Sequence, residues 1–490
     1  MRILSRIHDR SVSKPLSWRC SQLMFKPIAL FPAERWKRLK TFVAGKEALR
    51  WPGTAFRTTV VMILCFGHAL SGQPGPTVEE FQARRQAYSE RVKTGISVIF
   101  NAPEEQLRES RTDKDFFYLT GFSEPGAILV LSPQNPACRE TLFIPSRDTA
   151  QERWTGPKTD VTSETAKALG VERLMSLDHF QSELLRLAES ERRFLTVFPT
   201  AGRGDYSLLE NSATEKLRRL FPFADLLDAR TQIACLRMKK SKSELDLLKK
   251  AIAITVEGHQ SAAAEIAADR FEYQVQAALE YRFRFLGATR PAFPSIVGSG
   301  RNSTILHYDK NTRQMAEGEL VVVDIGAEFG EYAADITRTY PVSGKFSPRQ
   351  REIYNIVLEA QEAALREVKP GVLISKAGAI HKAAYDVINT HGKDLQGNPL
   401  GQYFIHGTSH HLGLDVHDAV NETHRPLEPG MVITIEPGVY IPSENLGVRI
   451  EDDLVVTDNG YELLSKEIPR RPEDIERYMA DSRKNRQSRP

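Results

Sequence analysis

Cysteine is scarce in this chain of 490 residues and follows no recognisable spacing. The four cysteines lie far apart without a CxxC pair; they are Cys20, Cys65, Cys138 and Cys235. This distribution excludes a disulfide framework and a cysteine-ligated metal site, and we expect the four residues to be free thiols.

Long hydrophobic runs are also missing. The apolar stretch Val60–Phe66 is much shorter than the roughly 20 residues that a membrane-spanning helix needs, so we expect no stable membrane span. The sequence contains no heptad pattern and no low-complexity tract, and residues 77–235 hold neither a glycine-rich phosphate loop nor a nucleotide fingerprint.

Positive charge is concentrated at the N-terminus. Residues 1–57 carry 13 Lys or Arg and 3 Asp or Glu, a net charge of +10, so the rest of a chain whose total is +3 carries −7. A mildly acidic body argues against a nucleic-acid partner. We interpret residues 1–76 as a basic extension ahead of the folded part.

Segment 58–72 of this extension resembles a secretory signal. Arg57 precedes its apolar stretch, and the small residues Ala69 and Ser71 follow it as at a cleavage site. Roughly 55 residues in front of it are more than a simple signal peptide carries, which a start codon assigned too far upstream would explain. Export to the periplasm or the medium is one prediction. A transit peptide, or a disordered tail on a cytoplasmic or organellar protein, is the alternative.

The first folded domain is predicted over residues 77–235, after a break at Gln73–Pro76. Helices alternate there with short strands, as in helix Thr77–Val92 and strand Ile96–Phe100. Such alternation indicates an α/β sheet domain.

The second domain is predicted over residues 236–490. Its first long helix is predicted to begin at an N-cap at Ser243 and to end at Glu265. The strands that follow cluster together while the helices stand apart, which indicates an α+β domain.

Two aspartates lie in consecutive apolar strands of the second domain. Asp324 lies near the end of the run Leu320–Ile325, and Asp335 lies in the next strand beyond a turn predicted at Phe329–Gly330. A hairpin centred on that turn places the two aspartates opposite each other, about 5 Å apart at Cβ. Two buried like charges at such a separation are costly unless a cation neutralises them.

Two glutamates repeat this arrangement. Glu436 and Glu451 flank a loop at Pro442–Leu446 and are also predicted to face each other across a hairpin. Arg449 projects from the same strand face as Glu451, so its guanidinium is placed to orient carboxylates by hydrogen bonds.

Histidines complete the set of candidate ligands. Segment His406–Asp418 holds four of the 12 histidines, and His307 precedes the first acidic strand. The set Asp324, Asp335, His410, Glu436 and Glu451 carries four negative charges, which two divalent ions would balance. Oxygen-rich ligation with one imidazole favours Mn²⁺, with Co²⁺, Fe²⁺ or Zn²⁺ as further options. Such a pair of ions activates water and polarises a carbonyl, so amide hydrolysis is the predicted chemistry.

At this point the sequence resembles a known family, the aminopeptidase P (Xaa-Pro aminopeptidase) branch of the pita-bread metallopeptidases, family M24. The resemblance covers about residues 78–480. It rests on the segments VVVDIGAEFGEYAADITRTYPVSGKFSPRQREIYNIVLEA, HGTSHHLGLDVHD, LEPGMVITIEPGVYIP and GVRIEDDLVVT, with DKDFFYLTGFSEPGAILVL in the first domain. It implies an α/β N-terminal domain followed by an α+β pita-bread catalytic domain. The implied substrates are peptides with proline at the second position, and we expect a homo-oligomer.

The resemblance also implies residue roles. Asp324 would chelate one ion, Asp335 and Glu451 would bridge both, and His410 and Glu436 would complete the other shell. Glu436 would pass a proton from the attacking water to the departing proline nitrogen. His417 would stabilise the tetrahedral intermediate, His307 and His406 would line the substrate pocket, and Arg449 would support Glu451. These assignments concern Asp324, Asp335, His307, His406, His410, His417, Glu436, Arg449 and Glu451.

One departure from the family pattern is His411, where an aromatic residue such as Trp is expected. This exchange bears on the pocket wall and on substrate preference.

Three other functions use the same fold. A prolidase has the same metals but cuts only Xaa-Pro dipeptides. A non-catalytic binding module is expected to have lost ligands, and all five are present here. A creatine-type amidinohydrolase lacks the full ligand set.

Overall fold

The computed structural model describes residues 75–101, 112–198, 213–418 and 425–487. The predictions for segment 58–72, and for the rest of the extension up to residue 74, lie outside these ranges. Among the described helices, none combines the length and the apolar character that crossing a bilayer requires.

Twelve helices occur in the described ranges. They are α1 Val78–Val92, α2 Lys114–Thr120, α3 Glu152–Thr155, α4 Ser163–Leu169, α5 Phe180–Ala188, α6 Ala213–Leu220, α7 Arg230–Arg237, α8 Lys242–Glu265, α9 Glu272–Phe285, α10 Pro348–Arg366, α11 Ala379–His391 and α12 Pro472–Gln487.

The strands of the described ranges fall into two groups. The first six are β1 Ile96–Phe100, β2 Ile128–Leu131, β3 Glu140–Ile144, β4 Arg173–Ser176, β5 Arg193–Thr196 and β6 Asp225–Asp228. The others are β7 Arg290–Pro291, β8 Ile296–Ser299, β9 Leu320–Ile325, β10 Ala327–Phe329, β11 Tyr332–Ala333, β12 Ile336–Pro341, β13 Val432–Ile435, β14 Gly438–Ile441, β15 Leu446–Arg449, β16 Asp452–Thr457 and β17 Gly460–Leu463.

The first group forms one six-stranded mixed sheet in the order β4-β3-β2-β1-β5-β6. Strands β1, β5 and β6 run parallel, while β1, β2 and β3 pair antiparallel. Side chains of β1 alternate between two cores. Ile96 and Val98 pack on one face, and Ile99 packs on the other in a core shared with the second domain. The predicted α/β domain is confirmed.

The second group forms small antiparallel sheets, with α8 to α12 packed around them. Strands β8, β9 and β12 make one sheet, and β13, β16 and β17 make another. The strands β9, β12 and β13 are buried on both faces, and β9 accordingly reads as a nearly continuous apolar run in the sequence. The predicted α+β class of the second domain is likewise confirmed.

The start of α8 corrects one local prediction. The N-cap is Ser241, whose hydroxyl accepts a hydrogen bond from Glu244 N while the Glu244 side chain accepts from Ser241 N. This reciprocal pair is a capping box, and the box sets the first turn two residues before the predicted cap. Ser243 instead donates its hydroxyl to Glu80 in α1.

Candidate metal centre

The first acidic hairpin has a register two residues away from the predicted one. Asp324 pairs with Thr337, and Phe329 pairs with Tyr332, so the turn lies at Gly330–Glu331. The prediction that the two aspartates stand directly opposite each other is therefore wrong. Asp335 lies two residues before Thr337 and is a diagonal neighbour of Asp324 on the same face, still within reach of its charge. The Asp324 charge contributes to raising the pKa of Asp335.

A glycine makes this arrangement possible. The strand pairing of this hairpin is interrupted at Gly326 and Asp335. These two residues lie between the pair formed by β9 and β12 and the pair formed by β10 and β11. A Cβ on Gly326 would lie 1.7 Å from the carbonyl oxygen of Ala334, so only glycine fits there.

We predict that Gly326→Ala destabilises the protein by about 3 kcal/mol or more, because backbone atoms must move to relieve the overlap. Thermal unfolding of the two purified proteins measures the loss. Gly75→Ala is the matched control, since its Cβ would meet only Leu247 Cδ1 at 3.9 Å. Equal melting temperatures for the two variants would contradict the prediction.

The second acidic hairpin has the predicted register. Ile435 pairs with Asp452 and Gly438 pairs with Arg449, so Glu436 and Glu451 oppose each other in the gap between the two ladders. Their backbone amides bond outside the hairpin. Glu436 N donates to Thr408 O at 2.8 Å, and Glu451 N donates to Thr337 O at 3.1 Å. These bonds join the second hairpin to the histidine segment and to the first hairpin.

His410 faces three of the carboxylates. Its Nε2 lies 3.3 Å from Asp335 Oδ2, 3.6 Å from Glu436 Oε1 and 3.9 Å from Glu451 Oε1. Its Nδ1 lies 3.0 Å from the carbonyl oxygen of His411, which can only accept, so Nδ1 carries the proton. His410 therefore directs its other ring nitrogen, Nε2, at the carboxylate oxygens, where it can serve as a metal ligand beside them.

Arg449 binds the remaining acidic residue. Its Nη2 donates to Asp324 Oδ2 at 2.5 Å, and its Nε donates to Thr337 Oγ1 at 3.1 Å. Thr337 Oγ1 in turn donates to Glu451 Oε2 at 2.7 Å. The carboxylate that Arg449 contacts directly is thus Asp324, and its hydrogen-bonded link to Glu451 passes through Thr337. The other oxygen, Asp324 Oδ1, is buried with no hydrogen-bond partner among the described residues.

The carboxylates are held where ionisation is costly. Burial is the main cause that raises the pKa of Asp335 well above its usual value, and the Asp324 charge adds to this rise. The pKa of Glu451 is also raised well above its usual value, mainly by burial and then by the charges of Asp335 and Glu436. Burial raises the pKa of Glu436 to about 7 although His410 opposes the rise. Such a set holds protons or cations, and the oxygen-rich donors with one imidazole fit hard or borderline divalent ions.

The other predicted histidines surround this group. His406 Nδ1 is 3.7 Å from Glu436 Oε2, and its Nε2 accepts from the Tyr440 hydroxyl at 2.9 Å. The His417 ring centroid lies 4.3 Å from that of His410. Desolvation of the ring, followed by the charges of His410 and His307, lowers the pKa of His417 to about 4. The structure therefore brings eight of the nine predicted site residues together. The ninth, His307, follows Leu306, whose carbonyl oxygen accepts from Arg449 Nη2 at 3.4 Å.

Comparison with known proteins decides the family. Residues 246–458 match the model of metallopeptidase family M24, and residues 81–197 match that of the aminopeptidase P N-terminal domain. The Xaa-Pro aminopeptidase of Escherichia coli K12 is 36% identical over 83% of this chain and 98% of its own. The chain belongs to the aminopeptidase P branch of family M24.

Solved structures agree with this assignment. A putative aminopeptidase P from Bacillus anthracis superposes with a TM-score of 0.77 at 32% identity, covering 83% of this chain and 99% of that one.

The Xaa-Pro dipeptidase of Pyrococcus furiosus is 38% identical but matches only 54% of this chain and 72% of its own. The chain is thus an aminopeptidase P that cleaves between an N-terminal residue and a following proline, and prolidase is the weaker match. As an M24 metallopeptidase it uses divalent metal ions.

Two residues of the aminopeptidase P site escaped the sequence analysis. Thr337 connects Arg449 to Glu451, and Tyr440 accepts from Arg449 Nη1 at 2.8 Å while donating to His406. Thr337 follows Asp335 by two residues, so strand periodicity could have placed it on the same face. Strand periodicity could not have identified Tyr440, because its contact with His406 joins residues that lie 34 positions apart in the sequence.

The interpretation of His411 as part of the pocket wall is wrong. Its side chain is only 2% exposed, and its Nδ1 has no hydrogen-bond partner within the described part of the chain. Burial, followed by the nearby Lys240, lowers its pKa to about 4. The departure from the family pattern at His411 therefore affects the protein interior behind the predicted metal ligands.

Proposed function

We propose that Asp324, Asp335, His410, Glu436 and Glu451 hold two divalent ions, with Mn²⁺ as the preferred metal. The observation that carries this proposal is the convergence of His410 Nε2 on Asp335, Glu436 and Glu451, each within 3.9 Å. Asp335, His410 and Glu451 offer ligand atoms that all lie within 4.8 Å of one another. Asp324, fixed by Arg449, would help to hold the second ion. When bound, the ions supply a nucleophilic water at neutral pH and polarise the scissile carbonyl.

Glu436 is the proposed proton carrier. Its side chain is 18% exposed, whereas that of Glu451 is 2% exposed, so Glu436 is the more open of the two to substrate. The proline nitrogen of the scissile bond has no hydrogen, and its departure as an amine requires a positioned acid. Glu436 would take a proton from the attacking water and return it to that nitrogen.

The histidines would bind and stabilise the substrate. The exposed His417 ring lies beside that of His410, where an N–H donor can meet the negative charge that develops on the carbonyl oxygen, and His307 would line the same pocket. His406 is held by Tyr440 next to Glu436, where it would line the substrate pocket.

Substrate length is tested by an assay of the Mn²⁺-loaded enzyme on three peptides: Ala-Pro, Ala-Pro-Ala-Ala and Ala-Ala-Ala-Ala. We expect Ala-Pro-Ala-Ala to be cleaved with the highest kcat/KM. The peptide without proline should be cleaved at least about 100-fold more slowly, because selection by shape for proline over alanine at the second position amounts to a few kcal/mol. Cleavage of the dipeptide alone would support a prolidase. Inactivity on all three, with no metal retained, would support a binding module.

The domain limits are also proposed. Residues 77–235 and 236–490 would form the two domains behind the extension 1–76, which the matched ranges 81–197 and 246–458 support. We further propose a homo-oligomer, which light scattering on the purified protein would test.

A further inference from the structure

The segment from His410 to Asp418 carries both a proposed metal ligand and His417, and it is closed by Asp418. Asp418 N donates to the His411 carbonyl at 2.9 Å, the same oxygen that accepts from His410 Nδ1. Asp415 N also donates to Asp418 Oδ1 at 3.4 Å. The Asp418 carboxylate therefore lies inside the turn that presents His417.

Two cations from outside this segment bind that carboxylate. Arg237, at the end of α7, donates from Nη2 to Asp418 Oδ1 at 2.6 Å, and Lys240 donates from Nζ to Oδ2 at 2.8 Å. The side chains of Lys240 and Asp418 are each 1% exposed, and that of Arg237 is 4% exposed. The two cations hold the pKa of Asp418 well below its usual value in spite of its burial.

Arg237 extends this contact to the N-terminal domain. Its Nη1 donates to Asp115 of α2 at 2.7 Å, and its Nη2 donates to Asp415 at 2.7 Å. One guanidinium thus joins the first domain to two positions of the His417 segment. Packing leaves this segment little freedom, because a Cβ on Gly413 would lie 2.4 Å from Asp418 Oδ2 and 2.9 Å from Lys240 Cε.

His410 does not depend on this anchor to the same degree. Its backbone bonds to Thr434, with Thr434 N donating to His410 O at 3.0 Å and His410 N donating to Thr434 Oγ1 at 3.3 Å. His417 lies seven residues further on and is exposed, next to the anchored Asp418. Loss of the anchor should therefore displace His417 more than the metal ligand.

We infer that Arg237 and Lys240 are positioning residues for His417, and that the N-terminal domain acts on the active site through Arg237. The inference rests on the proposed role of His417. A buried carboxylate that loses one of two cations is left with uncompensated charge, so the turn must rearrange to hydrate it. His417 would then meet the developing oxyanion in the wrong place, which lowers kcat more than it raises KM.

A double-mutant cycle of Lys240→Met with His417→Ala, on the Mn²⁺-loaded full chain, tests this inference. We expect Lys240→Met to lower kcat at least 10-fold in the wild-type background and less than twofold in the His417→Ala background, with metal content unchanged. Lys240→Arg should restore most of the activity. Lys114→Met is the matched control, since Lys114 is a buried cross-domain lysine that binds Glu328 and Glu331 instead. The Lys114→Met variant should lose about as much thermal stability as Lys240→Met, while its kcat stays close to that of the wild type.

Equal loss in both backgrounds would overturn the inference, because Lys240 would then act independently of His417. Near-wild-type kcat for Lys240→Met would overturn it as well. If His417→Ala alone kept wild-type turnover, the proposed role of His417 and this inference would both fail, while peptidase activity itself would stand. Should Lys240→Met not fold, Asp418→Asn takes its place in the cycle with the same expected outcomes.

Discussion

Replacing Asp335 by alanine should abolish peptide turnover and metal retention together. Asp335 is 5% exposed, and its Oδ2 is 3.3 Å from His410 Nε2, at the centre of the proposed ligand set. Its removal takes one negative charge from a group of four and, in the proposed site, one ligand that two ions would share. A lost bridging ligand impairs both ions at once, so we expect turnover to fall by about 1,000-fold or more, a barrier increase of roughly 4 kcal/mol.

Metal analysis of the dialysed protein and kcat on Ala-Pro-Ala-Ala measure the two effects. Asp458→Ala is the control, because Asp458 is an exposed turn residue between β16 and β17 of the same domain. It should keep both properties. An Asp335→Ala protein that retains full turnover would show that the proposed bridging role is incorrect.

Removing the metal should abolish activity and expose a pH-dependent instability. The folded-state pKa of Glu436 is raised to about 7, above its unfolded value near 4.5, and the pKa values of Asp335 and Glu451 are also raised well above their usual values. The folded state therefore binds more protons than the unfolded state. The stability from this protonation is fully present below about pH 4.5 and is lost as the pH rises through about 7.

Divalent ions replace those protons, so the stabilisation by metal should grow from pH 5 to pH 7.5. An ion at 100 times its Kd contributes about 2.7 kcal/mol, which for a domain of this size raises Tm by roughly 5–10 °C. Melting curves with Mn²⁺ and with a chelator at each pH measure the difference. The Glu436→Gln variant should show a smaller pH slope. A metal-induced shift that is the same at pH 5 and pH 7.5 would contradict the expected proton release.

The local elements of the protein follow closely from its sequence. Helices such as Pro348–Arg366 show amphipathic patterns and clear start signals, including the Ser347 capping box, and buried strands such as Leu320–Ile325 read as apolar runs. The register of the second hairpin followed from the symmetric placement of Glu436 and Glu451 about their loop. The register of the first hairpin could not be predicted in this way, because the chain turns at Gly330–Glu331 and not at the predicted Phe329–Gly330.

Contacts between distant segments were beyond sequence reasoning. Arg449 was expected to act on Glu451, its neighbour in the strand, but it binds Asp324, 125 residues away. The ion pairs of Asp418 with Arg237 and Lys240 span 181 and 178 residues and involve ordinary charged side chains. No periodicity marks such pairs, since a partner in space is chosen by the packing of whole domains.

The sequence by itself determined the kind of chemistry. Four carboxylates in apolar strands and an adjacent histidine cluster can be stable together only around cations, and that requirement is independent of the detailed fold. The tertiary structure alone decided which residues support each ligand. It placed Thr337 between Arg449 and Glu451, turned His411 into the interior, and connected the first domain to His417 through Arg237. Hydrogen bonds and ion pairs act over about 3 Å, so these partners depend on folded distances that the order of residues does not contain.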